Sequence, residues 1–199
     1  MMQSSTNADS KHILSLIKPN TVGAEIGVWM ASSSRLFLKQ GVKKLYMVDP
    51  WSTVPYIKKA QEEGFDLANY YKRYAKLSGG GEDADFMRKY ESVAQKVINE
   101  FGEKKNVEIR REISDTFFDS LEDNHLDWIY VDGDHSFEGC YSDIKNSLRV
   151  VREGGIIICD DYTWTKYGKT GVTKAVDKIT RETKLKPEKF GNNQAVFRL

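Results

Sequence analysis

Two short apolar runs, each ending in an acidic cluster, constrain this chain more than any other feature. Leu126-Asp127-Trp128-Ile129-Tyr130-Val131 runs into Asp132-Gly133-Asp134-His135. Ile156-Ile157-Ile158-Cys159, preceded by Gly154-Gly155, runs into Asp160-Asp161. Short apolar runs closed by turn residues read as buried strands. Between them Phe137, Cys140, Tyr141, Ile144, Leu148 and Val151 recur at helical spacing. A strand-helix-strand unit within one sheet makes its strands parallel and brings both C-terminal ends to one edge. Four carboxylates, those of Asp132, Asp134, Asp160 and Asp161, are therefore expected on one rim. Such crowding is repulsive unless positive charge sits among them, and a hard divalent cation held by oxygens is the simplest answer.

The same alternation extends through the chain. Lys11 to Ile17 reads as a short helix ending before Pro19-Asn20, Val22 to Ile26 as a first strand and Ala31 to Lys39 as a helix. Leu45 to Val48 and Val107 to Ile109 read as further strands. Glu82 to Phe101 is an amphipathic helix with Tyr90, Val93, Val97 and Phe101 on its apolar stripe. Val172 to Thr183 reads as a helix, and Phe190 to Leu199 as a closing strand region interrupted by Gly191-Asn192-Asn193. The expected fold class is α/β: a mostly parallel central sheet, helices on both faces, one domain over residues 1–199. Residues 52–82 mix charges with aromatics and end in Ser78-Gly79-Gly80-Gly81. They read either as a lid over a site or as surface helices covering the sheet.

Lys+Arg is 30 and Asp+Glu is 29, a net charge of +1, which gives no electrostatic case for nucleic acid or an acidic membrane as main partner. Cys140 and Cys159 lack paired-ligand spacing and read as buried apolar filler. Met1 to Ser10 is polar and carries no signal-peptide core, so a soluble, cytoplasmic chain is expected, with a homodimer as its expected assembly.

The first strand runs through Ala24-Glu25-Ile26-Gly27-Val28 into a helix, and the second ends at Asp49. In open α/β sheets ligands sit beyond the carboxyl ends of the strands. Gly27 permits a tight turn, and Asp49 can accept from both ribose hydroxyls. Ser114 and Asp115, after the third strand, are placed to face a base ring. A glycine-rich dinucleotide fingerprint is not met, because Trp29 stands where its second glycine would be. A nucleoside ligand without a pyrophosphate is better tolerated.

Taken together, Ala24 to Val28, Val48-Asp49-Pro50-Trp51, Val131 to His135 and Gly154 to Tyr162 resemble the class I S-adenosylmethionine (SAM)-dependent methyltransferases. The pattern is most similar to metal-dependent small-molecule O-methyltransferases of the sugar, macrolide and aminocoumarin type. The resemblance implies a Rossmann-like fold with a C-terminal antiparallel strand. It implies SAM held by Glu25, Gly27, Asp49, Ser114 and Asp132. It further implies Mg²⁺ or another divalent cation on Asp132, Asp160 and Asp161, and a small-molecule acceptor hydroxyl on a sugar or vicinal diol. Asp134 is the implied general base, with His135 as the alternative, because its ordinary pKa lies nearer neutral. Tyr162 and Trp164 stand where they could wall an acceptor. The plainer alternative leaves these carboxylates as solvated strand-end and helix-cap groups. Rival functions are a metal-independent methyltransferase and a non-catalytic nucleotide- or partner-binding domain.

Overall fold

The computed structural model describes residues 12–52, 83–162, 171–191 and 193–199. A 3-10 turn at Leu14–Leu16 leads into strand β1 (Val22–Ile26), helix α1 (Ser32–Lys39) and β2 (Lys44–Val48). Helix α2 (Asp83–Phe101), β3 (Val107–Arg110), α3 (Ser114–Asp119) and β4 (Leu126–Val131) follow. The chain then forms α4 (Phe137–Val150), β5 (Val151–Cys159), α5 (Gly171–Thr183), β6 (Glu188–Phe190) and β7 (Gln194–Arg198). These strands build one seven-stranded sheet in the order β3-β2-β1-β4-β5-β7-β6. The five from β3 to β5 are parallel; β7 runs antiparallel to β5, and β6 antiparallel to β7. The expected mostly parallel sheet with helices on both faces and an antiparallel C-terminal strand is what the chain adopts.

Each face has its own core, which is why the central strands read as unbroken apolar runs rather than alternations. On one face Ile26, Ile129, Ile157 and Phe197 meet Phe117 of α3, Ile144 of α4 and Val176 of α5. On the other, Met47, Trp128, Tyr130 and Ile158 meet Phe37 of α1 and Val97 of α2. The Phe37 ring stands edge-on to Trp128 and Tyr130, with centroids 5.1 and 5.3 Å away. Gly23 exists because the Trp128 indole lies across it: a Cβ there would sit 2.0 Å from the ring. Cys140 and Cys159 are free and buried, and burial pushes the Cys140 thiol up to about 12.

Two boundaries differ from the sequence expectation. Helix α4 ends at Val150, and Val151 is already extended and paired with Leu126, so β5 begins five residues before Ile156. A bulge between Leu126 and Trp128 absorbs the extra residues, with Gly154 at φ +76. The closing region is a hairpin, β6 turning through Gly191 into β7. The expected lid or surface helices fall almost entirely at 53–82, outside the described residues, as does Trp164. No described helix is long and apolar enough to cross a membrane.

Candidate active site

Strand order reverses between β1 and β4, opening a crevice at their carboxyl ends. Gly27 forms its mouth. Its φ is +88, and a Cβ there would lie 2.2 Å from the Asp132 carbonyl oxygen. Only glycine allows β1 and β4 to approach this closely. The Gly27 N–H donates to the Val48 carbonyl (2.9 Å), and the Asp132 N–H donates to the Ile26 carbonyl (2.8 Å).

Beside this turn Asp49 accepts the Trp29 N–H at Oδ2 (2.8 Å) and the Trp51 N–H at Oδ1 (2.7 Å). Trp51 Nε1 donates to the Trp29 carbonyl (2.9 Å). Trp29 and Trp51 have φ of 47 and 39, a region bulky residues rarely occupy. The Asp49 carboxylate pins both there. Burial raises its pKa, and the N–H donors of Trp29, Trp51 and Val28 oppose the rise.

A cavity of about 210 Å³ fills the crevice, lined by Gly27, Asp49, Ser114, Asp115, Gly133 and Asp134 among others. Three of the five expected cofactor residues, Gly27, Asp49 and Ser114, thus line one cavity. Glu25 and Asp132 are not among its lining residues. Glu25 is buried, accepts the Ser34 hydroxyl, and is pushed by that burial up to about 8. Asp143 of α4 also lines the cavity while only 2% exposed, and nothing in the sequence pattern singled it out.

The acidic rim follows from strand parity. Glu25 pairs with Tyr130, and Tyr130 with Ile158, so Asp132 and Asp160 continue the same face past the strand ends. Asp161 adopts φ 56. Its Oδ2 lies 2.9 Å from His135 Nε2, and Asp132 Oδ1 lies 3.5 Å away. His135 Nδ1 sits 2.8 Å from the Gly133 carbonyl, an acceptor only, so it carries the hydrogen and Nε2 faces the carboxylates. The ring is partly exposed, but Nε2 is shielded and out of line for a hydrogen bond to either carboxylate.

Asp132, His135 and Asp161 each present one donor atom within 4.8 Å of the others. The converging oxygens of Asp132 and Asp161 fit a divalent cation, with the shielded His135 Nε2 beside them. Asp160 stands alongside with both oxygens engaged: Tyr130 donates its hydroxyl to Oδ2 and Gln194 its Nε2 to Oδ1, each at 2.6 Å. Burial, reinforced by Asp160, pushes the Asp132 carboxyl well above the usual carboxylate range. Burial alone would lower the His135 pKa, but Asp161 and Asp132 outweigh it and hold the imidazolium up to about 9.

Asp134 does not join this group. Its oxygens accept the Ser136 N–H (2.8 Å) and hydroxyl (2.9 Å), while Ser136 Oγ accepts the Gly139 N–H to cap α4. The rim therefore gathers three of the four expected carboxylates and adds a histidine, and the fourth lines the crevice cavity. Tyr130, Asn193 and Gln194 are further participants that sequence reasoning did not raise. For Tyr130 the signal was present: it stands two residues before Asp132 and so shares its face.

Residues 21–162 match the family model described as a methyltransferase domain. No curated protein matches. Among solved structures, an O-methyltransferase from Bacillus cereus, in complex with SAH, aligns at TM-score 0.60 and 12% identity over 100% of this chain and 83% of its own. The O-methyltransferase NovP aligns at TM-score 0.57 and 16% identity over 96% and 76%. A SAM-dependent methyltransferase from Aquifex aeolicus aligns at TM-score 0.54 and 14% identity over 95% and 87%. The chain belongs to the methyltransferase-domain family and has the fold of the class I SAM-dependent enzymes.

Proposed function

We propose that this methyltransferase carries a methyl group from SAM to a hydroxyl of a small molecule, a sugar or vicinal diol, with a divalent cation at the acidic rim. The observation that supports this reading is the Asp132–His135–Asp161 cluster beside the cofactor crevice. Asp132 and Asp161, with Asp160 alongside, are the residues to hold the cation. A cation bound there supplies a Lewis acid that makes an acceptor hydroxyl more acidic.

The transfer is an in-line displacement. The acceptor oxygen forms a bond to the methyl carbon as the carbon–sulfur bond breaks, and the sulfonium leaves as a neutral thioether. The protein's tasks are alignment and removal of one proton. His135 fits the second task better than Asp134. With Nδ1 fixed on the Gly133 carbonyl, its Nε2 faces the rim. Asp134 is committed to Ser136 and the α4 cap. To accept a proton His135 must be neutral, which requires the charge on Asp132 and Asp161 to be balanced by something other than its own ring. The Gly27 turn, Asp49 and Ser114 provide the wall for the nucleoside of SAM.

One observation favours a metal-independent rival: the His135 ring itself already sits 2.9 Å from Asp161. The deciding experiment offers SAM and a panel of sugars, polyols and catechols with Mg²⁺, Mn²⁺ or a chelator, and reads methylated product by mass spectrometry. Product that depends on metal supports the reading. Product untouched by chelation sinks the metal, and no product from a folded, SAM-binding protein sinks the acceptor class.

A further inference from the structure

The antiparallel hairpin at the sheet's far edge reaches into the rim. Pairing of Ala195 with Cys159 sets Gln194 opposite Asp160. Gln194 is fully buried and donates Nε2 to Asp160 Oδ1. Its neighbour Asn193 donates Nδ2 to Asp161 Oδ1, and the Asn193 carbonyl accepts the Tyr162 N–H at 2.8 Å. Three consecutive residues, 160 to 162, are thus held by two consecutive residues of the turn. Gly191 makes room for this: a Cβ there would stand 2.8 Å from Gln194 Oε1.

We propose that Asn193 and Gln194 are positioning residues of the active site, holding the Asp160–Asp161 pair in the geometry that receives the divalent cation. The inference rests on the metal reading above. Its physical basis is the chemistry of the amide. Asp161 sits at a positive φ, so its carboxylate direction is not maintained by ordinary backbone preference. An amide N–H fixes a carboxylate oxygen while adding no net charge. A lysine or arginine in the same place would fix it equally well but neutralise it, removing the attraction a cation needs. Each carboxylate oxygen keeps a lone pair after accepting one such bond. Tyr130 does the same for the second oxygen of Asp160. Groups of this kind, behind metal-holding carboxylates, carry about ten- to a hundredfold in metal affinity.

The test titrates MnCl₂ alone into the purified chain and reads free Mn²⁺ by electron paramagnetic resonance, for wild type, Asn193→Ala and Gln194→Met. S-adenosylhomocysteine affinity and thermal midpoint are measured on the same samples. The expected result is a Mn²⁺ Kd raised about ten- to a hundredfold in each variant, with S-adenosylhomocysteine affinity at the wild-type value. Asn193 is partly exposed, so Asn193→Ala carries the test alone if Gln194→Met does not fold. Wild-type Mn²⁺ affinity in folded Asn193→Ala overturns the inference and leaves the metal reading standing. Failure of the wild-type chain to bind Mn²⁺ overturns both.

Discussion

At the β1–β2 end of the candidate site, main-chain geometry sets the shape; at the β4–β5–β7 rim, side chains do. Gly27 shapes the first by having no Cβ, and Asp49 serves it by gripping the backbone of Trp29 and Trp51. The second is a set of carboxylates and one imidazole, steered by Tyr130, Asn193 and Gln194. The first wall suits a ligand that is always the same, because main-chain geometry changes little when residues are exchanged. The second concentrates charge, so its behaviour depends on which cation or proton balances it.

If the two sides are separable in function, damage to one leaves the other's ligand in place. The largest effect is expected from His135→Gln: kcat falls by about 10²- to 10⁴-fold, while S-adenosylhomocysteine titration gives an affinity close to wild type. Equal loss of cofactor affinity would show that the sides act as one. Gly27→Ala strikes the main-chain wall, placing a Cβ against the Asp132 carbonyl. Strain of about 2 kcal/mol, roughly thirtyfold in cofactor affinity, is expected by calorimetry. Mn²⁺ affinity reports how far the shift spreads to Asp132.

Glu25 stands between the sides, paired with Tyr130 and bonded to Ser34. Its folded pKa, about 8 against an ordinary 4.5, means the native chain holds the proton more tightly than the unfolded one. That contribution is fully present below pH 4.5 and is lost as pH rises through 8. Thermal midpoints of the cofactor-free protein should therefore fall across this window. Glu25→Gln should flatten the slope, and an unchanged slope would show that Glu25 ionises freely. The smallest effect is assigned to Asp134→Ala: about 1 kcal/mol of stability from the weakened α4 start, with a kcat loss far below that of His135→Gln. A loss of equal size would make Asp134 the base.

The sequence made the main-chain wall and the two acidic clusters legible because local pattern carries them: an apolar run, a glycine or aspartate at its end, a helix after it. The orientation of Asp134 was hidden because capping and metal binding use the same residue types, and only the position of Ser136 separates them. Gln194 and Asn193 were hidden for a different reason. Their contribution depends on β7 returning beside β5 with Ala195 opposite Cys159, and no periodicity within residues 190–199 states that register. Val151 was misplaced because a β-branched residue at a helix end satisfies both patterns until its partner, Leu126, is known.

The hairpin also completes the rim from a distance. Tyr130 and Asp160 belong to neighbouring parallel strands, but Asp160 acquires its second partner only when a strand 34 residues later has docked. Pairing of β7 with β5 therefore extends the sheet and fixes the direction of the Asp160 and Asp161 carboxylates together. The geometry of the rim thus depends on a register set 34 residues away.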